Sequence, residues 1–368
     1  MGLGHTGEGW CRLDEGFVSV PHTHPGDVVD VVVGPFRRGR AWANVERFVS
    51  RSPRHVDPAC PHYDRCSGCV LRHHSVAHEA EYKLHAAGEI LDRYGPEFAA
   101  TIPLDLVTTG VRSGHRTRGR MTVEVRDEQV HIGLRGLALD RKVVNIRDCP
   151  AQAPAWRAAM GWVGEWLDAH VDEARGLDTL DLRLEDGQVF IAGPDAPWTH
   201  PNPAAAALLV DWTLRALGPC STALDLCCGT GTVTRALAAL CPRVVSVDED
   251  RAATAAVAAL ELPGVEVRTG RLGVVLRKLR KERVVADGAV VNPMRRPLGR
   301  KQLGDLAHFG LGRVVYLGPG AVSAAKDAVV LTELGFVLRR AAVIDLHPAT
   351  SQFMLGLVFE RMSNDTAG

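Results

Sequence analysis

Three cysteines, Cys60, Cys66 and Cys69, fall within ten residues in the stretch "DPACPHYDRCSGCVLRHH". Three thiols cannot pair off among themselves as disulfides, so either a fourth ligand lies elsewhere or one thiol is left free. A second reactive-looking stretch is "LDLCCGTGTVTRALA", where Asp225 ends an apolar run and Gly229 and Gly231 form a turn ahead of a helical pattern. Glycines let a backbone approach a ligand closely and leave helix N–H groups facing it. Asp248 ends the next apolar run, near the spacing of an acid that holds ribose hydroxyls. There is only G-x-G and no third glycine for a pyrophosphate, so S-adenosylmethionine suits this turn better than a dinucleotide. The plain alternative is a tight turn that binds nothing.

These residues need elements to position them. Around the glycine turn the text alternates helix and strand from about residue 204: "AAAALLVDWTLRAL", "TALDLCC", "VTRALAAL", "RVVSVDED", "RAATAAVAALE", "VEVRTG". That alternation predicts a doubly wound, Rossmann-like α/β domain, which continues through "DGAVVNP", "RVVYLG", the helix "AVSAAKDAVVLTELGF" and a closing strand "SQFMLGLVFER". Ahead of the cysteines, "FVSVP", "DVVDVVVGPF" and "AWANVERFV" have the length and spacing of a small antiparallel barrel. After them, "SVAHEAEYKLHAAGEILDRYG" reads as a helix that stops at Gly95-Pro96, and "RGRMTVEVRD" and "EQVHIGLRG" as paired strands. Trp156, Met160, Val163, Leu167 and Val171 recur at helical spacing and predict a core-facing stripe. The expected division is a barrel over 1–52, a central α+β domain over 53–200, the α/β domain over 201–362 and a tail at 363–368.

Composition narrows the classes. Hydrophobic residues make up 46% of the 368-residue chain, yet no apolar run is long enough to span a bilayer, so no membrane association is expected. The N-terminus lacks a basic-then-apolar leader pattern, which predicts a cytoplasmic protein whose nine cysteines stay reduced. Lys plus Arg and Asp plus Glu both number 43, so there is no global basic field. Three local runs, "FRRGRAW", "GHRTRGRM" and "VLRKLRKERVV", keep RNA or another phosphate-bearing partner in view. Each of them alone reads equally as a solvated face.

Taken together, these parts resemble the RNA uracil-C5 methyltransferase family over nearly the whole chain. "GHTGEGWCRLDEGFVSVPHTHPGDVVDVVV" looks like that family's RNA-binding TRAM (OB-like) barrel, "CPHYDRCSGCVLRHHS" is similar to its cysteine segment, and "VVNIRDCPAQAP" to the stretch with its distant fourth cysteine. The resemblance implies a 4Fe-4S cluster on Cys60, Cys66, Cys69 and Cys149, an S-adenosylmethionine site, and an rRNA or tRNA substrate for a monomer. One C-x2-C pair with lone cysteines fits paired-cysteine zinc ribbons poorly, and a cysteine followed by proline, as at Cys60 and Cys149, is a feature of iron–sulfur segments. Zinc completed by His62, His73 or His74 is the alternative.

The family's chemistry needs a cysteine that adds at uracil C6 and a carboxylate that later removes the C5 proton. Against the family's "YVSCNPATLARD" this chain has "YLGPGAVSAAKD", which sets Pro319 at the nucleophile position. Against "DMFPHTAHVE" it has "DLHPATSQFM", with Met354 at the base position, and "DPPR" becomes "NPMR", beginning at Asn292. The cofactor segment before the α/β domain matches "WTHPN", so His200 replaces a glutamine while Asn202 remains, and Arg271 stands where an acid is expected near the adenine. Asp225, Gly229, Gly231 and Asp248 are all kept. The implied protein binds RNA and has lost uracil-C5 chemistry. Its alternatives are a methyltransferase acting on another RNA atom without a cysteine nucleophile, a small-molecule methyltransferase, or a nucleophile relocated to Cys227.

Overall fold

The computed structural model describes residues 2–4, 6–95, 102–137, 141–193 and 196–362, so the expected tail at 363–368 lies outside the described residues. Three sheets organise the chain. The first contains β1 (Gly2–Leu3), β2 (Gly9–Leu13), β3 (Gly16–Val20), β4 (Val28–Val33) and β5 (Arg40–Ser50), in the order β1-β2-β3-β5-β4. It is not wholly antiparallel as expected: β3 pairs β5 in parallel, with Phe17 opposite Arg40. At the junction, Gly16 sits at φ +143°, and a Cβ there would lie 2.1 Å from the Gly39 carbonyl oxygen, so only glycine fits. The buried apolar core of this sheet is small: Val18, Val20, Ala41 and Ala43.

The second sheet, β11-β10-β7-β8-β9, is antiparallel throughout and contains β7 (Arg118–Arg126), β8 (Gln129–Arg135), β9 (Val143–Asn145), β10 (Thr179–Glu185) and β11 (Gln188–Ile191). Helix α2 (Pro154–Ala169) covers it, burying Trp156, Met160, Val163 and Leu167 against Met121, Val123, Ile132 and Leu182. The predicted stripe is therefore the core face, but the helix stops before its last member. His170 leaves helical geometry (φ −132°, ψ 58°), and Val171 starts the short α3 (Val171–Arg175).

The third sheet has eight strands in the order β14-β13-β12-β15-β16-β18-β17-β6. Strands β12 (Thr222–Leu226), β13 (Arg243–Asp248), β14 (Val265–Thr269), β15 (Gly288–Val291) and β16 (Arg313–Gly318) run parallel. Strand β18 (Met354–Arg361) inserts antiparallel between β16 and β17 (Phe336–Ile344). Helices α4 (Pro203–Leu217), α5 (Thr234–Leu240), α6 (Arg251–Ala258), α7 (Leu272–Lys281), α8 (Gly299–Leu306) and α9 (Ala321–Glu333) supply the crossovers. Every residue of β15 is buried, as a strand covered on both faces requires. The run "VLRKLRK" belongs to α7, where Leu272, Val275, Leu276 and Leu279 are buried and the cations face outward, so its pattern is helical amphipathicity.

The edge strand β6 (Leu104–Val107) and helix α1 (Val76–Tyr94, capped by the Ser75 hydroxyl) come from the middle of the chain. Strand β6 pairs β17 in parallel, so the 53–200 segment shares the C-terminal sheet. Lys83 of α1, fully buried, is held by Glu79 at 2.7 Å and Asp345 at 2.8 Å, which ties α1 to the loop between β17 and β18. No helix among the described residues is long and apolar enough to cross a membrane.

Candidate functional site

The cysteine segment is a series of turns. The Cys60 carbonyl accepts from Tyr63 N at 3.2 Å, Cys66 N donates to the His62 carbonyl at 2.8 Å, and the Cys69 carbonyl accepts from Arg72 N at 3.1 Å. Cys66 also bridges Gly136 in the second sheet. Cys149 arrives from beyond β9, 80 residues after Cys69 in the chain, in a turn closed by Gln152 N on its carbonyl at 3.0 Å. Burial pushes up the thiols of Cys66 (to about 12), Cys69 and Cys149, and neighbouring cysteines, Cys60 among them, raise each of these three further. Arg72 and Arg116 oppose that rise at Cys69, and Arg116 does so at Cys149.

Among the described residues, no three His, Cys, Asp or Glu side chains are grouped so that they could hold a metal ion. That holds for the four cysteines and for zinc completed by histidine alike. His62 Nε2 is taken by the Asp148 carbonyl at 3.1 Å. His73 and His74 are fully buried and pack among histidines of the N-terminal segment, with ring centroids 5.1 Å from His55 and 4.8 Å from His24 respectively. Thiolates are the ligand type that iron–sulfur clusters take.

The second site is the turn between β12 and α5. Cys227, Gly229 and Gly231 all have positive φ, and nothing lies within 4 Å of where a Gly229 Cβ would stand. Asp248 braces the turn: its Oδ2 accepts from Gly229 N at 2.8 Å and its Oδ1 from Asp250 N at 2.9 Å. Asp225 is 1% exposed, and its Oδ2 accepts from Thr234 Oγ1 at 2.5 Å. Its other oxygen has no partner, and burial lifts its pKa to about 6. A buried carboxylate oxygen without a donor is costly, and a ligand amine or hydroxyl would satisfy it. Asn202 caps α4, its Oδ1 accepting from Ala205 N at 3.2 Å while its Nδ2 donates to the Leu346 carbonyl at 3.4 Å. His200 packs edge-on to Trp198 at 4.5 Å, and the Trp198 carbonyl accepts from Thr230 Oγ1 at 3.2 Å, which seats this segment on the glycine turn. Burial lowers the His200 pKa to about 4, so its ring is neutral near pH 7. Beyond Asp248 lies a cleft of about 780 Å³ lined by Glu249, Arg251, Thr254, Thr269 and Arg271, the last of these at the head of α7.

At the same sheet edge, Asn292 follows β15, Pro319 follows β16 and Met354 opens β18. Strands β16 and β18 pair Gly318 with Leu355, so one further step of that register sets Pro319 opposite Met354. The Asn292–Arg295 loop closes over them: Ser323 Oγ donates to the Arg295 carbonyl at 2.7 Å, and Arg295 Nη2 donates to Gln352 Oε1 at 3.0 Å.

No protein-family model matches the chain. It is 26% identical over 431 aligned residues to the 23S rRNA (uracil(1939)-C(5))-methyltransferase RlmD of Halomonas elongata, covering 98% of this chain and 88% of that protein. The RlmD of Klebsiella pneumoniae strain 342 is 24% identical, with 96% and 93% covered. Among solved structures, the Pyrococcus abyssi tRNA (uracil-54, C5)-methyltransferase in complex with S-adenosyl-L-homocysteine superposes with a TM-score of 0.76 at 19% identity, over 97% of both chains. The chain is a relative of the RNA uracil-C5 methyltransferases.

Within that kinship the structure brings together Asp225, Gly229, Gly231, Asp248, Asn202 and His200 at one strand edge, and gathers the four cysteines elsewhere. Three contributors escaped the sequence reading: Thr234, Trp198 and Thr230. Thr234 stands nine residues past Asp225, at the first residue of α5, and a hydroxyl at that place was the available signal. A further feature is a cleft of about 900 Å³ between the first and second sheets, lined by Arg47, Arg51, Arg65, Arg126 and Lys142 with Phe48 among them. The Arg51 guanidinium lies 4.5 Å from the Phe48 ring centroid.

Proposed function

We propose that this chain binds rRNA or tRNA in the cytoplasm as a monomer, holds S-adenosylmethionine at the β12–α5 turn and a 4Fe-4S cluster on Cys60, Cys66, Cys69 and Cys149, and does not methylate uracil C5. The observation that carries this reading is the pairing of Gly318 with Leu355 at the end of β16 and β18, which sets the neighbouring Pro319 and Met354 at the same place. Uracil C5 becomes nucleophilic only after a thiolate adds at C6, and the product forms only after a base removes the C5 proton. A proline offers no nucleophile, and a thioether buried to 5% exposure accepts no proton at neutral pH.

Binding is supported independently of that chemistry. Asp225, with its unpartnered oxygen, and Asp248, braced by two backbone N–H groups, would hold the donor's amino and ribose groups. Bound there, S-adenosylmethionine would supply an electrophilic methyl group. A cluster on the half-buried Cys60, Cys66, Cys69 and Cys149, with the cations Arg72 and Arg116 nearby, would fix the turns after Cys60 to the second sheet. The 900 Å³ cleft offers guanidinium groups to phosphates and an aromatic face to a base.

The test is mass spectrometry of nucleosides from rRNA and tRNA incubated with cluster-loaded protein and S-adenosylmethionine, with donor binding measured by calorimetry alongside. The expected result is donor binding without 5-methyluridine. Catalytic yields of 5-methyluridine would overturn the assignment of Pro319 and Met354.

A further inference from the structure

Helix α2 has two apolar faces, and only one of them has a partner. Trp156, Met160, Val163 and Leu167 are buried against the second sheet. On the opposite side, Ala155, Ala158, Trp162, Trp166 and Ala169 follow one another at three- and four-residue steps and are all exposed. Trp162 is 67% exposed and Trp166 41%. Tryptophans are rarely left this open, and at protein interfaces they are among the residues that carry most binding energy. Trp166 is also held in place. His170 lies flat on Trp166, with centroids 4.2 Å apart and planes 11° from parallel, and its Nδ1 is 2.8 Å from the Trp166 carbonyl oxygen.

The charges around the stripe say what covers it. Its neighbouring cations are engaged already: Arg147 binds both oxygens of Asp168 at 2.6 and 2.8 Å, Arg157 pairs with Asp148, and Arg175 with Glu128. Glu165, between the two tryptophans, and Glu173, just beyond, are exposed and carry no ion pair among the described residues. Asp172 is 99% exposed and only 3.8 Å from Arg175. The rim is therefore acidic. A nucleic acid backbone is repelled by it. A second copy of the chain would bring the same acids against each other across a two-fold axis.

We propose that the outer face of α2 is a docking site for a basic amphipathic segment of a protein partner, with Trp162 and Trp166 as apolar anchors and Glu165, Asp172 and Glu173 reading its lysines or arginines. The binding mode is a helix laid along a helix face, whose specificity comes from the spacing of its apolar residues.

The probe is a labelled 18-residue helix of alternating Lys and Leu faces, titrated into the full chain by fluorescence anisotropy at low and high salt, with a Glu-for-Lys counterpart as control. The Lys peptide should bind and the Glu peptide should not. Trp162→Ala with Trp166→Ala should weaken binding about tenfold or more. Glu165→Gln with Glu173→Gln should weaken it less and flatten its salt dependence, and this charge variant, whose side chains lie wholly at the surface, serves as the readout if the tryptophan variant folds poorly. Equal binding of the Glu peptide, or unchanged affinity in both variants, overturns the proposal. So does a salt-stable dimer of the wild-type chain in light scattering that the tryptophan variant loses, since the face would then belong to a second copy.

Discussion

Acidification from pH 7.5 to 5 should loosen the junction between the N-terminal sheet and the cysteine segment. That junction is packed with imidazoles. His22 stacks on Tyr63 at 3.9 Å, His73 and His74 lie 4.4 Å apart, and His24, His55 and His78 surround them. Asp27 is the one carboxylate that faces a ring there among the described residues, 3.4 Å from His55, while Arg51 and Arg112 add positive charge. Burial, and then the neighbouring histidines, lower His22 and His74 to about 3 and His73 to about 2. Several of the ring nitrogens, including His22 Nε2, His73 Nε2 and both of His74, are buried without a partner, so a proton there would have nothing to bind to.

The sign follows from these depressed values. The folded state keeps the rings neutral while the unfolded chain protonates below about 6.5, so stability is complete above that pH and drains away as pH falls through the window from 6.5 toward 3. At pH 5 each of the three rings sits about 1.5 pH units below its unfolded pKa, which costs about 2 kcal/mol per ring, or roughly 6 kcal/mol together. That is comparable to the whole stability of an ordinary domain. Urea unfolding followed by tryptophan fluorescence, at half-unit steps between pH 7.5 and 5, measures it. The midpoint should fall steeply below pH 6.5, and replacing His22, His73 and His74 together by Asn should flatten the slope even at some cost in absolute stability. A midpoint that stays constant down to pH 5 would refute the reasoning.

Three further outcomes are expected. Restoring the family residues by Pro319→Cys with Met354→Glu should still give no 5-methyluridine by nucleoside mass spectrometry, because Asn292, His200 and Arg271 remain and a backbone that accommodates proline need not present a thiol. Cys149→Ser should bleach anaerobically purified protein and remove most of its iron and sulfide, since it is the one proposed ligand that comes from beyond β9; colourless wild-type protein with stoichiometric zinc would contradict that. Arg51→Gln with Arg65→Gln should weaken binding of RNA regardless of sequence and reduce the salt slope by about two phosphate contacts, read by anisotropy at several salt concentrations.

What the sequence revealed and what it hid divide by range. Asp225, Gly229, Gly231 and Asp248 were legible because a strand, a glycine turn and a helix follow one another within a few dozen residues, and each choice is made locally. The core stripe of α2 was legible for the same reason, although the break at His170 depends on how the chain turns into α3. Strand β6 joins a sheet whose neighbouring strand is more than 200 residues away, so nothing in "LDLV" identifies its partner. The parallel pairing of β3 with β5 depends likewise on β4 folding outward, and a short β-rich run carries no sign of which neighbour it chooses. His73 and His74 were read only as candidate zinc ligands, and the histidine cluster itself escaped because its members lie on loops without period: His22, His24, His55, His73 and His74 converge only when the first sheet docks.

One route could still rescue uracil chemistry, a nucleophile moved to Cys227, and the structure speaks against it on chemical grounds. This residue is near the donor turn, at φ +60°, a left-handed conformation that fixes its direction. Burial first, and then Asp248, Asp225 and Glu249, push its thiol up to about 12. Reactive cysteines are found in the opposite setting, near cations or helix N-termini that stabilise the thiolate. With a pKa about five units above neutral pH, the thiolate would be on the order of one part in 10⁵ of the population. The two carboxylates proposed to hold a donor's ribose and amine are the same groups that suppress this thiol, so a better donor site here would make a worse nucleophile. A Cys227→Ala variant should therefore bind S-adenosylmethionine as the wild type does, and a loss of methyl transfer to any RNA on that change alone would show that the thiol takes part after all.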